Sequence, residues 1–284
     1  MDGQQGGRNA FENSSADNVV QAGTVNGGVH VNSTPPPLAN LTPQAAAAQL
    51  VAMKTGEAAD ALAAFPYRTA LLTVLLADHE ATTIGLLGDM ELAVARDLVD
   101  ALPSPPDWLG GLLTASEGFG NAALGPARNK VRRAAPSPQG STGFSRDYDK
   151  GRAYWSADTL FQTVVHPFLR EHDRRGGTGG ELGFPVGERA WNCTDDTPGG
   201  LFYQRFEGGV IYESSPPRVV RDPDLALFDR FGFPTGDETG LGTFFADQVK
   251  GTFQPFERGT AYWVDNVALV REGDSSVLFG VRAT

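Results

Sequence analysis

Between residues 38 and 125, apolar residues recur in pairs that are separated by short polar breaks. This spacing predicts a series of short helices, each burying one face against its neighbours. Thr42 followed by Pro43 is typical of a helix start, because threonine caps the first turn and proline suits its first position. The pairs are Leu50/Met53, Leu62/Phe65, Leu75/Leu76, Leu86/Leu87 and Leu98/Leu102. The sequence therefore predicts a small all-helical domain over 38–125.

Residues 146–284 repeat themselves at a period of about 50, which indicates a repeat architecture. Leu182-Gly183-Phe184-Pro185 returns as Phe231-Gly232-Phe233-Pro234, 49 residues later, and 203–212 returns as 253–262. The segment 151–155 corresponds to 259–263. Each unit combines a Gly-Phe-Pro turn with two strands around a tight turn, which predicts a β-hairpin. The pattern gives two full units and the tail of a third unit upstream.

A helix is predicted over 158–173, because Leu160, Val164 and Phe168 share one helical face and Gly176 and Gly177 follow. Residues 225–228 predict a shorter equivalent in the next unit.

Residues 126–145 are predicted to be a basic Pro/Gly/Ser linker between the helical and the repeat parts. The stretch 126–150 has six basic and two acidic residues, a net charge of +4 in a chain whose net charge is -11. The prolines at 35–37 predict a second, stiffer spacer.

The first 37 residues predict a disordered tail, because its first part is too polar and glycine-rich to bury a core. Within it, residues 18–32 alternate β-branched with small or polar residues, and Asn26-Gly27 favours a tight hairpin turn. A hairpin this short is marginal alone, but stacked copies pair with one another as cross-β structure.

The 284-residue composition excludes several classes of function. A net charge of -11 disfavours general nucleic-acid binding, and a single cysteine, Cys193, excludes internal disulfides and a cysteine zinc site. We find no catalytic motif, so we expect no catalytic residue, no cofactor and no metal. No apolar run is long enough to span a bilayer and no signal peptide is recognised, so we expect a cytoplasmic protein without stable membrane insertion.

The tail resembles bacterial amyloid signalling motifs, which are similar to the RIP homotypic interaction motif. The resemblance implies assembly with itself and with a receptor that carries a matching motif. Its residues are Val19, Val20, Gln21, Ala22, Gly23, Val25, Asn26, Gly27, Gly28, Val29 and His30.

The C-terminal part resembles the LGFP repeats of actinobacterial proteins, which implies β-hairpin units and binding of a glycan or protein ligand. Aromatic faces with a few polar groups suit such a site. The same recurring residues also fit a second interpretation, in which they form the core of each repeat and satisfy its turns. The candidate ligand-binding residues are Trp155, Tyr203, Gln204, Glu207, Tyr212, Gln254, Glu257, Tyr262 and Trp263.

Together these patterns predict an α+β multidomain chain with a disordered tail, a small all-helical domain over 38–125 and a helix-plus-β-hairpin repeat domain over 146–284. The function expected is that of a non-enzymatic signalling or effector protein of a bacterial conflict system, recruited by its tail. One alternative is a cell-envelope protein that binds wall polysaccharide through the repeats. Another is a membrane-disrupting effector that acts through 38–125, although the acidic charge of that segment disfavours an anionic leaflet.

Overall fold

The computed structural model describes residues 38–193, 200–221, 231–241, 251–264, 267–272 and 278–281. The predicted tail with its amyloid-type motif lies outside the described residues, as does the helix predicted over 225–228. The described chain mixes helices with antiparallel sheets, which confirms the coarse fold class.

Short helices fill the region from residue 43 to residue 120, as the spacing of the apolar pairs predicts. Thr42 caps the first helix through a hydrogen bond from Ala45 N to its Oγ1, at 3.3 Å, and Pro43 opens that helix. The helices are α1 (Pro43–Ala52), α2 (Thr55–Ala64), α3 (Arg68–Asp78), α4 (Glu80–Asp89), α5 (Leu92–Asp100) and α6 (Trp108–Gly120).

Three antiparallel sheets follow, and within each sheet neighbouring strands are consecutive in the chain. The first sheet contains β1 (Arg132–Arg133), β2 (Gly143–Tyr148), β3 (Gly151–Ser156) and β4 (Leu160–Val165). The second contains β5 (Ala190–Asn192), β6 (Leu201–Phe206), β7 (Gly209–Tyr212) and β8 (Arg218–Arg221). The third contains β9 (Thr239–Gly240), β10 (Gly251–Phe256), β11 (Gly259–Val264), β12 (Val267–Glu272) and β13 (Leu278–Val281).

The linker predicted over 126–145 is wrong, because these residues begin a first complete repeat unit. Gly125 has a φ of 84°, and the glycines of the two later turns, Gly183 and Gly232, have φ values of 67° and 74°. The residue two positions after each of these glycines forms an isolated β-bridge with the aromatic residue at the end of a strand. The first of these bridges joins Ala127 to Tyr148. The turn went unrecognised because Pro126 stands where the later units have phenylalanine.

The helix predicted over 158–173 is also wrong in its first half. Residues 160–165 form the strand β4, and only Phe168–Arg174 form a helix, α7. Apolar residues four apart fit a strand as well as a helix in so short a run, and a residue that precedes proline disfavours helix, which separates the two elements at Pro167.

The helices and the first sheet share one hydrophobic core, so they are not separate domains joined by a linker. Phe144 and Tyr148 of β2 are buried in the same cluster as the helical leucines. Tyr148 Oη also donates a hydrogen bond to the carbonyl of Phe119 in α6, at 2.6 Å. Further clusters join the first sheet to the second and the second to the third.

Candidate functional site

The recurring glutamines hold consecutive repeat units together. Gln204 is fully buried, and its Nε2 donates to the carbonyls of Thr163 in the preceding sheet, at 2.6 Å, and of Gly187 in its own turn, at 3.0 Å. Gln254 is equally buried, and its Nε2 donates to Val219 O at 2.9 Å and to Gly236 O at 3.1 Å. Among the described residues, the Oε1 atoms of both glutamines are buried without a hydrogen-bond partner.

Arg146 occupies the position of these glutamines in the first unit, which the helices precede in the described part of the chain. Its Nε donates to Asn129 O of its own turn at 3.2 Å, and its guanidinium pairs with Asp89 of α4 at 2.8 Å. The same strand position therefore attaches each unit to whatever precedes it, which is the helical array for the first unit and a sheet for the later two.

The recurring glutamates stabilise the turns of the repeats. Glu207 Oε2 accepts a hydrogen bond from Phe184 N at 2.7 Å, and Glu257 Oε2 accepts one from Phe233 N at 3.0 Å. In the first unit Pro126 has no N–H to donate, and Asp149 instead pairs with Arg128 at 2.7 Å. This geometry agrees with the interpretation in which the recurring polar residues satisfy turn backbone.

The aromatic candidates are spread over the three units. Trp155 packs against the helical core and stacks on Phe144, with ring centroids 6.1 Å apart. Tyr203 and Trp263 pack against the cluster shared by the second and third sheets, and Tyr212 is buried within that cluster. Tyr262 faces Phe253 with ring centroids 6.1 Å apart. These positions make the aromatic candidates part of the packing of their units.

A separate cleft of about 390 Å³ opens beside the first sheet, at the end of α7. Its size falls within the range of small-molecule sites. Strands β1, β2 and β3 supply one side, and the turn that follows α7 supplies the other. The lining residues are Arg132, Arg133, Ala134, Ala135, Ser145, Arg152, Tyr154, Asp173, Gly176, Gly177 and Thr178.

The arginines of this cleft are held in place by carboxylates. Arg152 pairs with Asp147 and also with Asp173, whose Oδ1 lies 2.6 Å from its Nη1. Arg132 pairs with Asp147 at 2.9 Å. Arg133 pairs with Glu80 of α4 at 2.5 Å, and its guanidinium carbon lies 4.6 Å from the centroid of the Trp108 ring. The three guanidinium charges are therefore offset by three neighbouring carboxylates.

The floor of the cleft continues into a buried aromatic cluster. Tyr154 lies within it, and its hydroxyl is 3.0 Å from Arg152 Nη1 and 3.3 Å from His172 Nδ1. His172 is fully buried, stacks on Phe206 with ring centroids 4.7 Å apart, and its Nε2 is 2.9 Å from Gly183 O. Burial raises the pKa of Tyr154 and lowers the pKa of His172. Both groups are therefore uncharged near neutral pH.

Sequence reasoning missed this cleft, although it identified the basic stretch that builds one wall of it. Arg132 and Arg133 lie in the segment that was interpreted as a linker, and Asp173 lies about 40 residues further along the chain. No local signal in the sequence points to this cleft, because the approach of Arg132 to Asp173 depends on sheet pairing that the local pattern does not show.

Within the described ranges, no group of three or more histidine, cysteine, aspartate or glutamate side chains is placed to hold a metal ion. In that same part of the chain, no helix combines the length and the apolar character that crossing a membrane requires.

No family model matches the chain, and no curated protein matches it. One solved structure with some likeness is the extracellular domain of a hybrid two component system from B. thetaiotaomicron. The identity is 13%, the match covers 57% of this chain and 17% of that chain, and the TM-score is 0.17. A TM-score this low carries no argument about fold or function.

Proposed function

We propose that this chain is a non-enzymatic signalling or effector protein of a bacterial conflict system, recruited by homotypic cross-β templating of its N-terminal segment. The observation that carries the proposal is the sequence of that segment. Val20-Gln21-Ala22-Gly23 is followed by Val25 and by the Asn26-Gly27 turn, and the prolines at 35–37 separate this segment from the helices. Cross-β stacking suits such a short, uncharged, β-prone stretch without proline.

The helices and repeats would then act as the binding part of the protein. Their buried glutamines and turn glutamates are engaged in joining and closing the units, which leaves the arginine cleft as a candidate concave site among the described residues. Assembly of many chains on one fibril would raise the local concentration of this site, so that weak binding becomes effective.

The proposal is tested on the full-length chain by thioflavin T fluorescence and fibre diffraction. We expect fibrils with a spacing of about 4.7 Å between strands. The double variant Gln21→Asp/Val25→Asp should abolish them, since charges stacked in register repel one another. Gln5→Asp/Asn9→Asp adds the same charge outside the motif and should leave assembly intact.

A chain that stays soluble at high concentration under all conditions tested would overturn the signalling function. The resemblance to LGFP repeats would then favour the envelope alternative, and binding of wall polysaccharide would be measured next. Leakage of dye from liposomes would instead support the membrane-disrupting alternative.

A further inference from the structure

His172 has fixed hydrogen-bonding roles at both of its ring nitrogens. Its Nε2 lies 2.9 Å from the carbonyl oxygen of Gly183, which can only accept, so Nε2 carries a proton. In the neutral ring the other nitrogen, Nδ1, is then an acceptor, and the Tyr154 hydroxyl at 3.3 Å donates to it. The hydroxyl has one proton, so Arg152 is the donor in its 3.0 Å bond with that hydroxyl. One directed chain of hydrogen bonds therefore runs from Arg152 through Tyr154 and His172 to Gly183.

A second proton on the ring of His172 breaks this chain. It converts Nδ1 from an acceptor into a donor, and the Tyr154 hydroxyl then faces a donor on each side, because Arg152 can only donate. The hydroxyl has no other hydrogen-bond partner among the described residues, so its own proton is left without an acceptor. The ring is fully buried, and a buried charge with unmet hydrogen bonds is strongly destabilised. Protonation therefore favours any state in which the ring reaches water.

The charged groups near the ring do not offset this effect. Arg152 of β3 repels a positive ring, and Asp173 of α7, which attracts it, is already paired with Arg152 at 2.6 Å. In the neighbouring strands, β4 and β7 have no charged residue, and Arg205 of β6 is exposed. Glu207 is engaged in closing the turn of the second unit. Burial therefore dominates, and it holds the pKa of His172 below the ordinary value of 6.5.

His172 lies where the first and second repeat units meet. Its ring stacks on Phe206 of the second unit, with centroids 4.7 Å apart, and meets Tyr154 of the first unit edge-on, with centroids 5.6 Å apart. Tyr154 and Phe206 belong to the core that joins the first sheet to the second, whereas the helices share a different core with the first sheet. Opening of this junction therefore exposes the ring to water without exposing the core of the helices.

We propose that the contact between the first and second repeat units is an acid-sensitive junction, which opens locally when His172 takes up a second ring proton. The turn of the second unit that contains Gly183 then separates from Tyr154, while the helices and the first sheet stay folded. This inference goes beyond the proposed function and does not depend on assembly of the N-terminal segment.

Nitrogen-15 spectra of the histidine rings in the full-length chain test the hydrogen-bond chain. Above about pH 7, where an ordinary histidine is neutral, His172 should show the tautomer that carries its proton on Nε2. Tyr154→Phe removes the hydroxyl that donates to the neutral ring and should raise the pH at which His172 titrates. Tyr148→Phe is the matched control, because Tyr148 lies in the same sheet and bonds the carbonyl of Phe119 instead of a histidine. That variant should leave the titration of His172 unchanged.

Hydrogen exchange followed by mass spectrometry tests the local opening. Between about pH 7 and pH 5, after correction for the intrinsic effect of pH on exchange, the strands of the second unit should lose protection while α1–α6 keep theirs. One group can increase opening by up to about tenfold for each pH unit below its ordinary pKa. His172→Gln, whose amide can donate to Gly183 and accept from Tyr154, should remove this dependence. His166→Gln changes an exposed histidine nearby and should keep it.

Three results would overturn the inference: a neutral ring with its proton on Nδ1, equal loss of protection in the helices and in the second unit, or an acid response that persists in His172→Gln. If His172→Gln fails to fold, the titration in Tyr154→Phe decides. A titration that stays the same in that variant would mean that the hydroxyl does not stabilise the neutral ring. Fibril formation by the N-terminal segment can succeed or fail without changing any of these outcomes.

Discussion

At the scale of single residues, one buried amide recurs at both junctions between sheets. Gln204 and Gln254 each join a carbonyl of the preceding sheet to a carbonyl of their own turn, with distances between 2.6 and 3.1 Å. Removing the amide donor leaves two buried carbonyl oxygens without that partner. A buried polar group without a hydrogen bond destabilises the folded state by more than a hydrogen bond stabilises it.

Gln204→Ala should lower the free energy of unfolding by about 1–3 kcal/mol, because it removes both of these hydrogen bonds. Urea denaturation followed by circular dichroism measures the change. Gln44→Ala, at an exposed position of α1, is the control and should be close to neutral. Equal stability of the two variants would mean that the junction amide does not support the array.

His172 should make the stability of the protein depend on pH. Burial lowers its pKa below the ordinary value of 6.5, so the folded protein binds a proton on this ring less readily than the unfolded chain does. The stability that the neutral ring contributes is therefore fully present above the pKa of the unfolded chain. It is lost as the pH falls from that pKa toward the lower pKa of the folded protein.

The measurement is the urea midpoint of unfolding between about pH 7 and pH 5, where histidine rather than the carboxylates titrates. His172→Gln should flatten the fall in stability across this range, even if the variant is less stable overall. His166→Gln changes an exposed histidine just before α7, and the urea midpoint of this variant should fall with pH as it does in the original chain. A fall that is the same in all three chains would show that other groups produce it.

The sequence predicts the recurrence of these residues but not what each one does. The repeated Gln and Glu were visible at a 50-residue offset, and both a ligand-binding and a structural role fitted them. Only the pairing of strands shows that Gln204 reaches Thr163, which lies 41 positions away along the chain. His172 carries no signal of its burial, because the aromatic rings that enclose it come from separate units.

At the scale of elements, α6 is the helix that meets the first sheet most closely. Its glycines differ in what surrounds them: a Cβ on Gly111 would lie 2.6 Å from the Trp155 ring, and one on Gly118 would lie 2.5 Å from the Phe161 ring. Gly110 has nothing within 4 Å of such an atom. Close contact of helix and sheet therefore requires glycine at positions 111 and 118 but not at 110.

Gly110→Ala should raise the melting temperature, because alanine is favoured over glycine in a helix by about 1 kcal/mol. Gly111→Ala should lower it, since the added methyl group forces Trp155 out of its packing against α6. Differential scanning calorimetry of the two adjacent substitutions compares the same chemical change in two settings. A rise in both variants would contradict close packing between α6 and β3.

Elements were predictable where the pattern was long or repeated. The helices between residues 43 and 120 follow from the apolar pairs, and the hairpins of the later units follow from their signature residues. Only the tail of the first unit was recognised, because its turn has Pro126 in place of phenylalanine and its strand has Arg146 in place of glutamine. A further signal was the spacing, since Gly125 precedes Gly151 by 26 residues, as Gly183 precedes Gly209.

At the scale of the whole molecule, the helices and the first sheet form one core rather than two. Phe144 and Tyr148 are buried with the helical leucines, and the ion pairs Arg146–Asp89 and Arg133–Glu80 join the first unit to α4. Parts that share a core unfold together, since opening one exposes apolar surface of the other.

Thermal unfolding of the full-length chain should therefore show the helices and the first sheet melting in a single transition. Far-ultraviolet circular dichroism reports mainly on the helices. In a Trp191→Phe/Trp263→Phe background, the remaining fluorescence comes from Trp108 and Trp155 and reports on the contact between helices and sheet. The two melting curves should coincide. Loss of the tryptophan signal well before the helical signal would show that the two parts are independent.

The recurring glutamine junctions also bear on how such a chain changes over evolutionary time. Because each later unit brings both the turn and the glutamine that attach it to the unit before it, an in-frame duplication of one unit reproduces these hydrogen bonds. A copy of the first unit would not form this junction, since Arg146 takes the place of the glutamine and pairs with Asp89 of the helical array. The array can thus lengthen by insertion after its first member, in steps of one unit, while its attachment to the helices stays constant.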